Sequence, residues 1–183
     1  MEQETIQKPA QVKEKTKSEN PMRSIFIEKV LLSAGGIDTN LEKAAKLLEL
    51  LSGRKAQIIS STKRIPDFGV RPGLKVGARV TLRGKQAVEV IKRLLGAVNN
   101  ELREKQVSEN HFSFGIPEYI EIPEMEYQRD IGIRGLNVTV VLARKGLRIK
   151  RKKIKSSNVP QRQHVSKDEV IKFMEDNFST EFE

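Results

Sequence analysis

The spacing of apolar and polar positions changes several times along the chain, and each change marks an element. Residues 25–33 are rich in Ile, Val, Leu and Phe and predict a first strand, broken by Gly35-Gly36. Thr39 and Glu42 then form a capping-box pattern. Leu41, Ala44, Ala45, Leu48 and Leu51 follow at helical spacing, and Gly53 supplies a stop. Residues 56–61 and 77–83 read as second and third strands, separated by a long loop, 62–76. A second helix is predicted over 85–106 on the stripe Val88, Ile91, Leu95, Val98 and Leu102, with Gly96 weakening it without ending it. Residues 111–116 and 136–143 predict further strands on either side of an acidic stretch, 117–130. Ser166 and Glu169 form another capping box, opening a short closing helix with Val170, Phe173, Met174 and Phe178.

This order is the split βαβ pattern of ferredoxin-like and RNA-recognition folds. The expected class is α+β, an antiparallel sheet with helices on one face. Residues 1–19 are rich in Gln, Glu and Lys with almost no large apolar groups, so the expectation there is a disordered tail. Residues 20–183 are expected to form one domain.

Composition narrows the chemistry. Lys and Arg number 34 against 24 Asp and Glu, a net charge of +10, which favours a polyanionic partner such as nucleic acid. Cysteine is absent, which excludes disulfides, thiolate zinc sites and cysteine nucleophiles. The two histidines, His111 and His164, lie far apart and not at metal-ligand spacing. No apolar run approaches the roughly 20 residues of a membrane helix. A cytoplasmic protein with no metal, cofactor or membrane partner is expected.

Catalytic motifs fare poorly. Ser52-Gly53-Arg54-Lys55 lacks the spacing of a phosphate loop and reads better as a helix stop. Gly73 and Gly77 are turn glycines. Glu118, Glu121, Glu124 and Glu126 sit among prolines without a histidine partner and fit a solvated acidic loop. A nucleic-acid-processing enzyme would need a catalytic cluster that is missing here. A protein-interaction module whose basicity serves only solubility is the other alternative.

The basic segments say more. Arg54, Lys55, Lys63, Arg64, Arg71, Lys75, Arg79 and Arg83 fall within thirty residues that hold one acid, Asp67. Val80 and Leu82 alternate with Arg79, Thr81 and Arg83, so one face of the third strand turns to the core and a basic face turns outward, either towards phosphates or merely towards water. The 62–76 loop far exceeds the usual hairpin connection of about two to five residues, a mark of functional loops. Phe68 at its centre could stack on RNA or tuck back onto the protein. Residues 144–155 hold eight Lys or Arg in twelve positions, suited to nucleic acid or to a solvated loop. The aromatic signature of the standard RNA-recognition motif is absent, so backbone and shape recognition of folded RNA fits better than base stacking on the sheet.

Several segments in order then resemble a known family. They are Asn20-Pro21-Met22-Arg23, Ile27-Glu28-Lys29-Val30, Leu51-Ser52-Gly53-Arg54-Lys55, Val80-Thr81-Leu82-Arg83-Gly84, Phe114-Gly115-Ile116-Pro117-Glu118 and Asp130-Ile131-Gly132-Ile133. Together they resemble the archaeal branch of the universal large-subunit ribosomal protein five family, over about residues 20–180. The resemblance implies a structural, non-enzymatic ribosomal protein that attaches 5S rRNA to the central protuberance among large-subunit rRNA and neighbouring proteins. It also implies a bridge to protein thirteen of the small-subunit head and a contact between the 62–76 loop and P-site tRNA. The family's 5S-contacting positions fall on Ser33, Arg54 and Thr81. Ser33 stands where Asn is usual and Arg54 where Gln is usual. With the basic residues above, the candidate rRNA-binding set is Ser33, Arg54, Lys55, Arg79, Thr81 and Arg83. The candidate tRNA-binding set is Lys63, Arg64, Phe68, Arg71 and Lys75.

Overall fold

The structure is a computed structural model that describes residue 20 and residues 22–183. The expected tail, 1–19, lies outside the described residues. Strand β1 (Ile25–Gly35) leads into helix α1 (Thr39–Ser52), then β2 (Gln57–Ser60), β3 (Lys75–Leu82) and α2 (Lys85–Gly96). Two short strands, β4 (Glu101–Leu102) and β5 (Val107–Ser108), precede β6 (His111–Ile116) and β7 (Leu136–Arg144). A one-turn helix α3 (Arg148–Arg151), helix α4 (Lys167–Phe178) and β8 (Glu181–Phe182) complete the chain.

The main sheet runs β2-β3-β1-β7-β6-β5, with every pair antiparallel. β1 and β2 both pair antiparallel with β3 and therefore run parallel to each other, joined through α1. β3 and β7 flank β1 in the same way, with α2 on the path between them. This is the split βαβ arrangement expected from the sequence, extended by β6 and β5 beyond β7. β2 forms one edge of the sheet. It is four residues long and carries an irregularity between Ile59 and Ser60.

The core lies on one face of the sheet, for a reason visible in period two. Val30, Leu32 and Ala34 of β1, Ala78, Val80 and Leu82 of β3, and Leu136, Val138, Val140 and Leu142 of β7 are all buried. Against them pack Leu41, Ala44, Leu47, Leu48 and Leu51 of α1 and Ala87, Val90, Ile91, Leu94 and Leu95 of α2. The alternate residues of each strand face away from the helices.

Three local expectations need correction. The second helix stops at Gly96 rather than 106. Pro123 lies over Gly96, where an added Cβ would come within 3.3 Å of its Cγ, and Asn99 and Asn100 take left-handed φ values of 53° and 60°. Leu102 is still buried, but in β4, paired parallel with β8. At the start of α1 the cap is Asp38, not Thr39, and no side chain caps it. Gly36 turns so tightly that a Cβ there would meet the Asn40 backbone at 2.9 Å, and Asp38 follows with φ 50°. The backbone turn thus positions the Asp38 carbonyl to accept the Glu42 N–H at 3.3 Å. Third, the acidic stretch is no open loop throughout: Tyr119 and Ile122 are buried, and the Tyr119 hydroxyl accepts the Gln128 N–H at 2.8 Å. The four glutamates themselves are exposed. The Ser166–Glu169 capping box is present as expected, with Glu169 N–H donating to Ser166 Oγ and Ser166 N–H to Glu169 Oε2.

Candidate nucleic-acid interface

The helix-free face of the sheet is ordered into rows by strand register. Ser33 stands between Arg79 on β3 and Asn137 on β7; Arg79 in turn faces Gln57 on β2, and Asn137 faces Gly115 on β6. At the strand spacing of about 4.8 Å, the four side chains Gln57, Arg79, Ser33 and Asn137 span about 14 Å. The next row reads Thr81, Leu31, Thr139 and Ser113, and the third Lys29, Val141 and His111. None of these positions is a carboxylate. The face offers hydroxyls, amides and cations on a flat backbone, a donor-rich surface suited to phosphate and ribose oxygens.

Arg79 is held rather than loose. Its Nε donates to Gln57 Oε1 at 3.1 Å, which steers the guanidinium along the row and leaves its other N–H groups available. Ser33, Arg79 and Thr81 therefore share one face. Arg54 and Lys55 lie elsewhere, in the connection from α1 to the sheet edge. There Gly53 caps α1 in the left-handed conformation (φ 61°), as the helix-stop reading expects. Ser52 Oγ donates to Leu48 O at 2.6 Å and accepts the Arg54 N–H at 3.2 Å, while Gln86 Nε2 donates to Ser52 O at 2.7 Å. This network ties the end of α1 to the start of α2 and leaves the Arg54 and Lys55 side chains exposed. Arg83 is exposed one residue past β3.

The 62–76 segment is a hydrogen-bonded arm rather than an open loop, and β3 already begins at Lys75. Ser61 N–H donates to Leu74 O and Gly73 N–H to Ser61 O, both at 2.8 Å; Ile65 and Val70 form a further antiparallel bridge. A 3₁₀ turn, Pro66–Phe68, closes the tip on Gly69 at φ 63°. Val70 is buried, so the arm has an apolar anchor that its prolines and glycines did not announce. Lys63, Arg64, Arg71 and Lys75 are exposed, and Phe68 projects with 73% of its surface open, leaving the tucked-back alternative unused.

The basic stretch 144–155 is divided. Arg144 is only 5% exposed and serves the protein interior, whereas the remaining lysines and arginines from Lys145 onward are exposed. Gln57, Asn137, Thr139 and Ser113 were missed as face residues by a reading that weighted charge. The signal was present in Asn137 and Thr139, which alternate with Leu136, Val138 and Val140. Among the described residues no group of three or more His, Cys, Asp and Glu could hold a metal, and no helix is long and apolar enough to cross a membrane.

Comparison with known proteins gives this surface its setting. The family model that describes the C-terminus of the large-subunit ribosomal protein five family matches residues 75–173, from β3 into α4. The chain belongs to this family of ribosomal proteins, which are structural and not enzymes. A relative from Nanoarchaeum equitans, named large ribosomal subunit protein uL5, is 40% identical over 166 residues, covering 89% of this chain and 98% of its own length. Proteins of the same name from Sulfolobus acidocaldarius and Archaeoglobus fulgidus are 38% and 35% identical, covering 91% and 90% of this chain and 95% and 94% of their own.

Proposed function

We propose that the chain is a structural constituent of the large subunit of the cytoplasmic ribosome, where it binds 5S rRNA across the helix-free face of its sheet and attaches it to the central protuberance. The observation that carries this reading is the set of cross-strand rows, which align Arg79, Ser33, Thr81 and Asn137 on a face without a carboxylate. Phosphate contacts from Arg79 and the bordering Lys29, Lys55 and Arg83 supply affinity. Ser33 and Thr81 supply directional hydrogen bonds. Arg54, at the corner of the sheet, reaches the same RNA from its edge. The arm, projecting Phe68 among Lys63, Arg64, Arg71 and Lys75, is proposed to touch P-site tRNA. A bridge to protein thirteen of the small-subunit head completes the proposed set of contacts, with large-subunit rRNA and neighbouring central-protuberance proteins around it.

Titration of the full chain with 5S rRNA over a salt series tests the central point. Log affinity falls linearly with log salt when Lys and Arg displace counterions from phosphates. A flat response, or no binding, overturns the reading.

A further inference from the structure

A second cationic feature lies where the sheet meets the segment after β7. A cavity of about 420 Å³ opens between the Lys29–Val141 end of the sheet and the chain from Leu147 to His164. Among its lining residues are Lys29, Arg144, Lys150 and Arg151, and its one acid is Glu28. Glu28 is the extra residue of a bulge in β1, between Ile27 paired with Leu142 and Lys29 paired with Val141. Bulges re-aim side chains and are frequent beside functional sites. Here Glu28 forms an ion pair with Arg151, although its side chain is only 13% exposed. Lys29 and Lys150 have no acidic partner among the described residues.

Three further details suit an anion. Arg144 is nearly buried; its two terminal nitrogens donate to Arg162 O and Glu169 Oε1, but its Nε has no partner. Asn110 Oδ1 accepts the Val165 N–H at 2.8 Å, so its amide NH₂ faces His164 Nδ1 at 3.4 Å. That ring nitrogen must then accept, and Nε2 carries the hydrogen as the remaining donor of a residue that also lines the cavity. Finally, Lys29 belongs to the third row of the helix-free face, so the cavity continues the surface proposed for RNA.

We infer that this cavity holds a backbone phosphate of the RNA that lies across the sheet, gripped by Lys29 and Lys150, with Arg151 recruited from Glu28 as the phosphate enters. The inference rests on the RNA-binding reading above. Phosphate is preferred to the carboxylates of an acidic protein because the cavity is continuous with a face of hydroxyl, amide and cationic groups that suits a sugar-phosphate chain. Glu28 acts as an internal stand-in for the anion, keeping the exposed one-turn helix α3 against the sheet before RNA arrives.

The test uses the full chain, the Lys29→Ala/Lys150→Ala double variant and Glu28→Gln, each checked for folding by circular dichroism. Each is titrated with 5S rRNA and, separately, with deproteinised long rRNA of the large subunit. The double variant is expected to lower the salt slope by about two and to weaken binding by roughly an order of magnitude per contact near 0.1 M salt. Glu28→Gln is expected to bind several-fold tighter, since it frees Arg151; a purely structural role would give no gain. An unchanged slope in the double variant overturns the inference, as does poly-glutamate competing as well as RNA. If the unmodified chain binds long rRNA but not 5S rRNA, the 5S reading fails while the cavity is judged by the long-rRNA slope. Binding to neither overturns both.

Discussion

Arg144 Nη2 and Glu169 Oε1 lie 2.5 Å apart, joining the end of β7 to the first turn of α4. The same carboxylate closes the capping box through its other oxygen, accepting the Ser166 N–H at 3.1 Å. One glutamate thus neutralises a buried guanidinium and caps a helix. Glu169→Ala removes both roles and leaves Arg144 buried with one fewer partner. Since the Glu169 side chain is 40% exposed, solvent screening holds the expected loss to about 2–3 kcal/mol, less than for a fully buried pair. Urea unfolding measures it. A loss under about 0.5 kcal/mol, the range of ordinary surface changes, refutes the double role.

Gly135 sits where the chain enters β7, and a Cβ there would lie 2.7 Å from the carbonyl oxygens of both Ile116 and Pro117. Backbone atoms cannot rotate out of the way as a side chain can. Gly135→Ala should therefore cost about 1–3 kcal/mol, as overpacking does, and move the β6–β7 connection. Hydrogen exchange should show faster exchange at the Tyr119 amide, which donates to Arg134 O at 3.0 Å. Unaltered exchange and stability would show that the turn can relax.

Thr81 tests the helix-free face without altering charge. Thr81→Val keeps the branched shape and the strand preference but removes the hydroxyl. If that hydroxyl pairs with 5S rRNA, affinity should drop by about 1–3 kcal/mol with the salt slope preserved. Arg79→Ala should instead lower the slope by roughly one. Isothermal titration of both variants separates the two contributions, and a Thr81→Val protein with full affinity moves the binding face elsewhere.

The arm should be separable from the sheet. Replacing Arg64, Arg71 and Lys75 with Ala leaves the Ile65–Val70 bridge and the Ser61 hydrogen bonds in place, because those are made by backbone groups. 5S rRNA binding should stay nearly intact, while P-site tRNA retention on assembled ribosomes weakens. Filter binding and tRNA release assays read the two quantities. Loss of 5S rRNA with unchanged tRNA retention would reverse the assignment of the surfaces.

Local pattern carried the sequence reading far where one physical force dominated. The alternation of Val80 and Leu82 with Arg79 and Thr81 sufficed to place β3 and its outward face, because a half-buried strand sorts its residues by period two. Ser166 and Glu169 were legible because a capping box is local in sequence. The failures were contacts between distant segments. Nothing near Gly96 announces that Pro123 will lie over it, and nothing near residue 102 announces that β8 will pair there. The bulge at Glu28 was equally silent, since one extra residue in a strand shows only against its partner. Arg144 looked like the first member of a basic run, and only the fold reveals the glutamate that takes it inside.

The sheet edge formed by β2 has a consequence before any RNA is met. An open edge is a template for another chain's strand, and β2 keeps Ile58 half in water. Yet it is four residues long, kinked at its end, and continues into an arm studded with cations. A second copy approaching it finds too short a ladder and a like charge beyond. Newly made copies are thereby kept apart while they wait for their nucleic acid, so protein synthesised ahead of its RNA stays available for assembly instead of being lost to aggregation.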